Sequence, residues 1–223
     1  MRVQTIAQRL EAVRLRIAAA CLRGGRSPQD VTLVAIAKGF PPEAIREAVQ
    51  AGIRHLGENR VQEAQAKRPL LADLPPDVVW HMVGHLQTNK VKTALKLFDI
   101  IHSVDSLHLA EEISRRAPRP VPVFLEVNVA GEPAKYGFPP QELPEASEAI
   151  ARLPNLDLRG LMTVAPLATD PEQVRPVFRR LRLIAGSLGL RELSMGMTDD
   201  FEVAVEEGAT HVRIGRAIFG ERG

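Results

Sequence analysis

Two hydrophobic periods alternate along the chain. Short runs dense in Val, Ile and Leu recur at 31–38, 53–58, 78–84, 100–104, 121–129, 156–164, 192–197 and 211–215. Between them, apolar residues return every three or four positions at 41–51, 59–71, 89–97, 106–116, 140–151, 171–188 and 198–207, with a stub at 217–221. The first kind of segment predicts strands and the second amphipathic helices. Their strict alternation predicts parallel strands joined by crossover helices. A further helix leads the chain over 3–22, with Ile6, Leu10, Val13, Ile17 and Ala20 on one face and Gly24-Gly25 and Ser27-Pro28 ending it.

Eight such units in 223 residues fit a single α/β domain over 1–223, a closed (β/α)8 TIM barrel with an extra N-terminal helix. Closure removes both sheet edges, which an open doubly wound sheet would leave bare. The last outer helix is short, and the leading helix is expected to take part of its place. No linker, repeat or low-complexity tract divides the chain.

Composition narrows the class. With 29 basic and 27 acidic residues the formal charge is +2, and no block of like charge stands out, so neither nucleic acid nor a membrane surface is an expected partner. Cys21 is the only cysteine, which leaves no disulfide framework and no thiolate metal site. No apolar run approaches the roughly 18 residues of a membrane span. The expectation is a cytoplasmic protein, and the 4% aromatic content, which offers no evident interface anchor, points to a monomer.

Only six of the 29 basic residues are Lys, and Lys38 stands at the end of the run Val31-Thr-Leu-Val-Ala-Ile-Ala37, just before the turn Gly39-Phe-Pro-Pro42. An ammonium at the end of an aliphatic run must be paired, neutralised or chemically used. Alternation puts Lys38 on one face with Thr32, Val34 and Ile36, and that face suits a barrel interior filled by aliphatics. Barrels keep their chemistry at the C-terminal strand ends. Glu58-Asn59, Gly84-His85, Asn128, Met162-Thr163, Ser194-Met-Gly-Met197 and Arg213-Ile-Gly-Arg216 all fall at such ends.

The loops after the seventh and eighth strands are where barrels most often bind phosphate. Gly196 and Gly215 would let backbone N–H groups approach it, Ser194 would add a hydroxyl, and Arg213 or Arg216 charge-assisted donors. A phosphate there and a Lys on strand one, which closes against strand eight, together suit pyridoxal phosphate (PLP), with Lys38 condensing to a Schiff base. The plain alternatives are turn glycines, and a Lys38 salt-bridged to Glu58. His81 and His85, four residues apart, would suit a zinc pair on a helix, but a strand holds such rings about 13 Å apart. The histidines at 55, 102, 108 and 211 add no ligand spacing, so no metal is expected. His81 is expected in the core, His85 at the mouth, and Glu126 beside a basic or imidazole partner such as His81.

Several blocks together carry a family resemblance: Val34-Ala-Ile-Ala-Lys38, His55-Leu-Gly-Glu-Asn-Arg-Val-Gln-Glu63, Trp80-His-Met-Val-Gly-His-Leu-Gln-Thr-Asn-Lys90, Val127-Asn-Val-Ala-Gly-Glu132, Gly160-Leu-Met162, Leu193-Ser-Met-Gly-Met197 and Val212-Arg-Ile-Gly-Arg-Ala-Ile-Phe-Gly220. In order and over nearly the whole chain, they resemble the YggS/PROSC family of PLP-binding proteins. The resemblance implies a fold-type III barrel like the N-terminal domain of alanine racemase, with PLP held covalently on Lys38. It implies Ser194, Met195, Gly196, Arg213 and Gly215 at the phosphate and Asn59 near the ring; Arg213 against the pyridine nitrogen is the other placement. His85 and Met162, at the same mouth, join the expected cofactor set. Ala37 and Thr198 depart from the Ser or Thr and the Ser usual at those positions.

The implied function is intracellular PLP homeostasis without robust turnover, with PLP itself as partner and apoenzymes that use it as transient ones. A racemase of fold type III is the alternative. It would need a base opposite Lys38, for which His85 and the Lys135-Tyr136 loop are the candidates, and a chain of this length leaves no room for the second domain that supplies one in the racemases. A cofactor-free Schiff-base aldolase acting on a sugar phosphate is a third reading.

Overall fold

The computed structural model describes residues 4–221. Residue 3 of the expected leading helix, and the outermost positions of the expected 1–223 domain, lie outside them. The elements run α1 (Ile6–Arg23), β1 (Thr32–Ile36), α2 (Pro42–Gln50), β2 (His55–Glu58), α3 (Val61–Lys67), β3 (Val79–Met82), α4 (Val91–Leu97) and β4 (Ile100–Val104). They continue with α5 (Leu107–Arg116), β5 (Val121–Glu126), α6 (Leu143–Ala151), β6 (Leu156–Met162), α7 (Arg175–Ser187), β7 (Glu192–Ser194), α8 (Phe201–Glu206), β8 (His211–Ile214) and α9 (Arg216–Phe219). The eight strands pair in chain order, all parallel, and β8 returns to β1 with Thr32 opposite His211, so the barrel is closed as expected.

Alternation along each strand divides the core into two layers. Ala35, Leu56, Trp80, Ile101, Val123, Leu161, Leu193 and Val212 face outward and pack under the helices. Val34, His81, His102, Phe124, Met162, Ser194, His211 and Arg213 are buried inside the barrel. The aliphatic lining expected below Lys38 is therefore present on β1, while imidazoles from β3, β4 and β8 fill much of the remaining interior. Small residues make room where walls approach. A Cβ on Gly57 would lie 2.5 Å from Ile36 Cδ1, and one on Gly160 only 1.8 Å from the Glu192 carbonyl oxygen.

Helix α1 starts at a reciprocal cap, with Thr5 Oγ1 accepting from Gln8 N (3.2 Å) and Gln8 Oε1 accepting from Thr5 N (3.0 Å). It buries Ile6, Leu10, Val13 and Ile17 against α8 and the four-residue α9. Arg9 Nε donates to Ile218 O (2.7 Å), and Arg26 donates to Val205 O and Ala209 O (both 2.8 Å). The leading helix thus seals the outer layer where the last one is a stub. No described helix is long and apolar enough to cross a membrane.

Candidate functional site

Six of the eight strands end one to three residues earlier than their apolar runs, β2 and β4 stopping at 58 and 104 as predicted, and the residues released belong to the C-terminal mouth. At β1 the cause is visible. Ala37 N still donates to Gly57 O (2.9 Å), but the Ala37 carbonyl accepts from Lys67 Nζ (2.7 Å), and Lys38 falls in the turn that follows. On its other side, Gly39 N donates to Glu63 Oε1 (2.5 Å), with Gly39 at φ +77°. Lys67 Nζ also reaches Glu58 Oε1 and Glu63 Oε1, each at 2.7 Å. The backbone on both sides of Lys38 is therefore pinned by one buried network, while Lys38 Nζ has no hydrogen-bond or ion-pair partner among the described residues.

This corrects the pairing of Lys38 with Glu58: Glu58 is fully buried and Lys67 is its partner. Burial pushes the Glu58 carboxyl up to about 7 despite Lys67. Glu63 also feels desolvation, but hydrogen bonds from Lys67 and Gly39 hold it below its ordinary range.

Arg213, from β8, lies buried beneath the mouth. Its Nη1 donates to Ser194 Oγ (2.7 Å) and its Nη2 to Thr163 O (2.8 Å). Burial lowers its pKa to about 10, opposed by the charges of Asp200 and Glu126. Glu126 is pushed up to about 7 by burial and by Asp105, against the pull of Arg213. His81 is not its partner. The His81 ring lies between His55 (Nδ1 to His81 Nε2, 2.9 Å) and His102 (Nε2 to His81 Nδ1, 2.8 Å), which fills both its nitrogens.

The loop after β7 turns at Gly196, φ +91°, where a Cβ would sit 2.6 Å from Ala204 Cβ and 2.9 Å from Phe201 Cα. Met197 N is capped by Asp200 Oδ1 (2.6 Å). The N–H groups of Gly196, Thr198 and Asp199, and those of Gly215, Arg216 and Ala217 after β8, meet no protein acceptor among the described residues. These are the free donors of the two loops. Ser194 Oγ lies below them, fully buried, between Arg213 and His102 Nδ1 (2.8 Å). The Met195 side chain packs in the layer between sheet and helices, and its N–H goes to His211 O (3.1 Å). Met162 is buried inside the barrel, at the end of β6.

Asn59 and His85 stand on the other flank, after β2 and β3, and line a cleft of about 440 Å³ with Arg60, Gln62 and Lys90. Glycine brings them together, since a Cβ on Gly84 would meet Asn59 O at 2.3 Å. The His85 ring stacks on Tyr136 with centroids 3.8 Å apart, and its Nδ1 contacts Asp105 Oδ2 (2.9 Å). Lys135 pairs with Glu132 (2.6 Å), and Asn128 secures that loop through Glu132 N and O. Among the described residues no cluster of His, Cys, Asp or Glu is arranged to hold a metal.

The alanine racemase N-terminal domain family matches residues 10–223. The pyridoxal phosphate homeostasis protein of Aquifex aeolicus is 47% identical, covering 96% of this chain and 97% of its own length. That of Pseudomonas aeruginosa is 45% identical, covering 99% and 97%. The chain belongs to the pyridoxal phosphate homeostasis protein family. Among solved structures, PipY of Synechococcus elongatus with PLP bound superposes with a TM-score of 0.85 at 40% identity, over 97% of this chain and all of that one. Alanine racemase from Corynebacterium glutamicum shares the fold, at a TM-score of 0.69, but only 16% identity, and the homeostasis-family barrel spans 60% of its length. The family placement, the closed barrel and its likeness to the racemase N-terminal domain all agree with the sequence expectation.

Sequence reasoning missed Lys67, Glu63 and the histidine file through His55, His81 and His102. The i, i+4 spacing of Glu63 and Lys67 was a usable signal. So was the fact that each of the three histidines falls on the inner face of a neighbouring strand.

Proposed function

We propose that this chain holds PLP covalently on Lys38 and serves PLP homeostasis as a single-domain, monomeric cytoplasmic carrier, without robust turnover. The observation that carries the reading is an unpaired lysine amine on a pinned backbone, in the turn after β1, whose neighbour β8 and the strand beyond it, β7, end in loops of free N–H donors. When bound, PLP supplies an aldehyde that links reversibly to a primary amine with loss of water, and a phosphate anion. Lys38 provides the amine. The N–H groups at 198–199 and 215–217 suit the anion, with Gly196 and Gly215 allowing close approach. Arg213, a donor only, suits the ring nitrogen from below and would keep it from gaining a proton. Met162 suits a floor, and Asn59 and His85 the outer flank.

The non-catalytic half of the reading is supported by the curated relatives, which are named homeostasis proteins. Of the two candidate bases, Lys135 is held by Glu132 (2.6 Å), whereas His85, oriented at Nδ1 by Asp105, keeps Nε2 as the one nitrogen able to carry a proton, which makes the turnover test decisive.

The test is visible absorbance of the purified protein and its Lys38→Ala variant, with borohydride reduction and peptide mapping. A PLP band trapped on the Lys38 peptide and lost in the variant is expected. A wild type that stays colourless when supplied with PLP overturns the proposal, and loss of optical activity from an amino acid overturns the non-catalytic part.

A further inference from the structure

The barrel interior contains a file of hydrogen-bonded side chains that runs from Arg213, at the proposed cofactor site, down to three histidines that the cofactor reading does not use. Arg213 Nη1 meets Ser194 Oγ at 2.7 Å, and Ser194 Oγ meets His102 Nδ1 at 2.8 Å. His102 Nε2 meets His81 Nδ1 at 2.8 Å, and His81 Nε2 meets His55 Nδ1 at 2.9 Å. Each contact holds one proton, and Arg213 decides which way all of them point.

A guanidinium only donates, so Ser194 Oγ accepts from it. The Ser194 proton has one remaining acceptor among the described residues, His102 Nδ1. A neutral imidazole that accepts at Nδ1 donates at Nε2, and the step repeats at His81. Burial holds both rings well below their ordinary pKa and so neutral. His55 therefore accepts at Nδ1 and carries its own proton on Nε2.

His55 starts β2, at the end of the barrel opposite the mouth, and lines a cavity of about 580 Å³ between α1 and the first residues of β1 and β2. Its Nε2 meets no protein partner among the described residues, and neither do Arg14 Nη1, Arg54 Nη2 and the Thr32 hydroxyl in the same cavity. Glu11 is the one acidic residue of the lining, and Ile17, Leu33 and Ile53 supply apolar wall.

We propose that this cavity is a second ligand site, for a small organic carboxylate, with His55 Nε2–H, Arg14 and Arg54 as its donors, and that it is coupled through the histidine file to Arg213. An acceptor at His55 reinforces the donor direction that ties Ser194 to His102. A ligand at the mouth that draws Arg213 or the Ser194 hydroxyl towards itself weakens that direction. The two ligands therefore oppose each other, and by linkage the effect is reciprocal. The coupling rests on the reading of Arg213 as a cofactor residue; the site does not.

The experiment is NMR of the full chain with 15N-labelled histidine, titrated with sodium butyrate against sodium chloride of equal ionic strength. The expected result is the Nε2–H form for His55, His81 and His102, and a saturable butyrate shift of His55. His55→Leu should weaken butyrate by about tenfold, and Arg14→Ala, at an exposed position of α1, gives a second weakened variant should the first fold poorly. PLP bound at the mouth should raise the butyrate dissociation constant at least about fivefold. A His55 proton on Nδ1, or a shift that chloride reproduces, overturns the site. An unchanged butyrate constant with PLP demonstrably bound overturns the coupling. Failure of PLP to bind overturns the coupling together with the functional reading, and leaves the butyrate titration to decide the site.

Discussion

Lys38 is positioned by its neighbours' bonds and not by any of its own. Lys67, held between Glu58 and Glu63, fixes the carbonyl before it, and Glu63 fixes the amide after it. Lys67→Met should leave the Glu58 carboxyl buried without a cation and cost about 3–5 kcal/mol in urea unfolding at pH 8. It should also lower PLP retention with Lys38 intact. Stability equal to wild type would show the network to be dispensable. Glu126 makes a pH-dependent prediction. Its folded pKa of about 7 lies above its ordinary 4.5, so its favourable contribution is complete below 4.5 and is lost as pH rises through 7. Glu126→Gln should therefore gain on wild type across that interval, by on the order of 2–3 kcal/mol at pH 8; parallel pH profiles would contradict this. At this scale the sequence showed the residues whose surroundings are written in their own strand, such as Lys38 after an apolar run. It hid the bonds of Lys67 to β2 and to the turn after β1, because no periodicity records a bond between elements; only its i, i+4 pair with Glu63 was written in the spacing.

The barrel's elements meet at contacts that admit no extra atoms. Gly160→Ala would drive a methyl into the Glu192 carbonyl on β7, where backbone and not a flexible side chain must give way. The variant should lose more than about 3 kcal/mol or fail to fold, as read by circular dichroism; a melting point within a degree or two of wild type would show that β6 and β7 can part cheaply. On α1, Leu10 is 1% exposed and sits under α8 and α9. Leu10→Ala should cost about 2–4 kcal/mol in denaturant unfolding, whereas an appended, non-integral helix would leave the midpoint unmoved. The existence, order and type of these elements were legible because each buries one face with its own period. Several of their ends were not, since Ala37, Val127 and Met195 remain apolar after their strands have stopped, although β2 and β4 end at 58 and 104 as predicted.

Taken whole, the molecule has a core that must stay uncharged in places. His55, His81, His102 and His211 are all lowered by burial, His211 to about 4. A base with a lowered folded pKa contributes stability that is present above its ordinary 6.5 and lost as pH falls through the folded value. Glu58, Glu126, Glu192 and Asp200, all raised by burial, run the other way, and the prediction is that the histidines, with His81 and His102 lowered well below 6.5, outweigh them. Stability should fall between pH 6.5 and about 4 with net proton uptake on unfolding, and urea curves at pH 7 and 5 that coincide would contradict it. Closure of the barrel has a consequence in time as well. β1 obtains its second neighbour from β8, and α1 its cover from α8 and α9, so residues made first wait for residues made last. At roughly 5–20 residues per second, a ribosome takes about 10–40 s to pass from β1 to β8. For that interval the nascent chain carries a bare strand edge and an uncovered apolar helix face, the kind of surface that aggregates or is shielded by chaperones during synthesis.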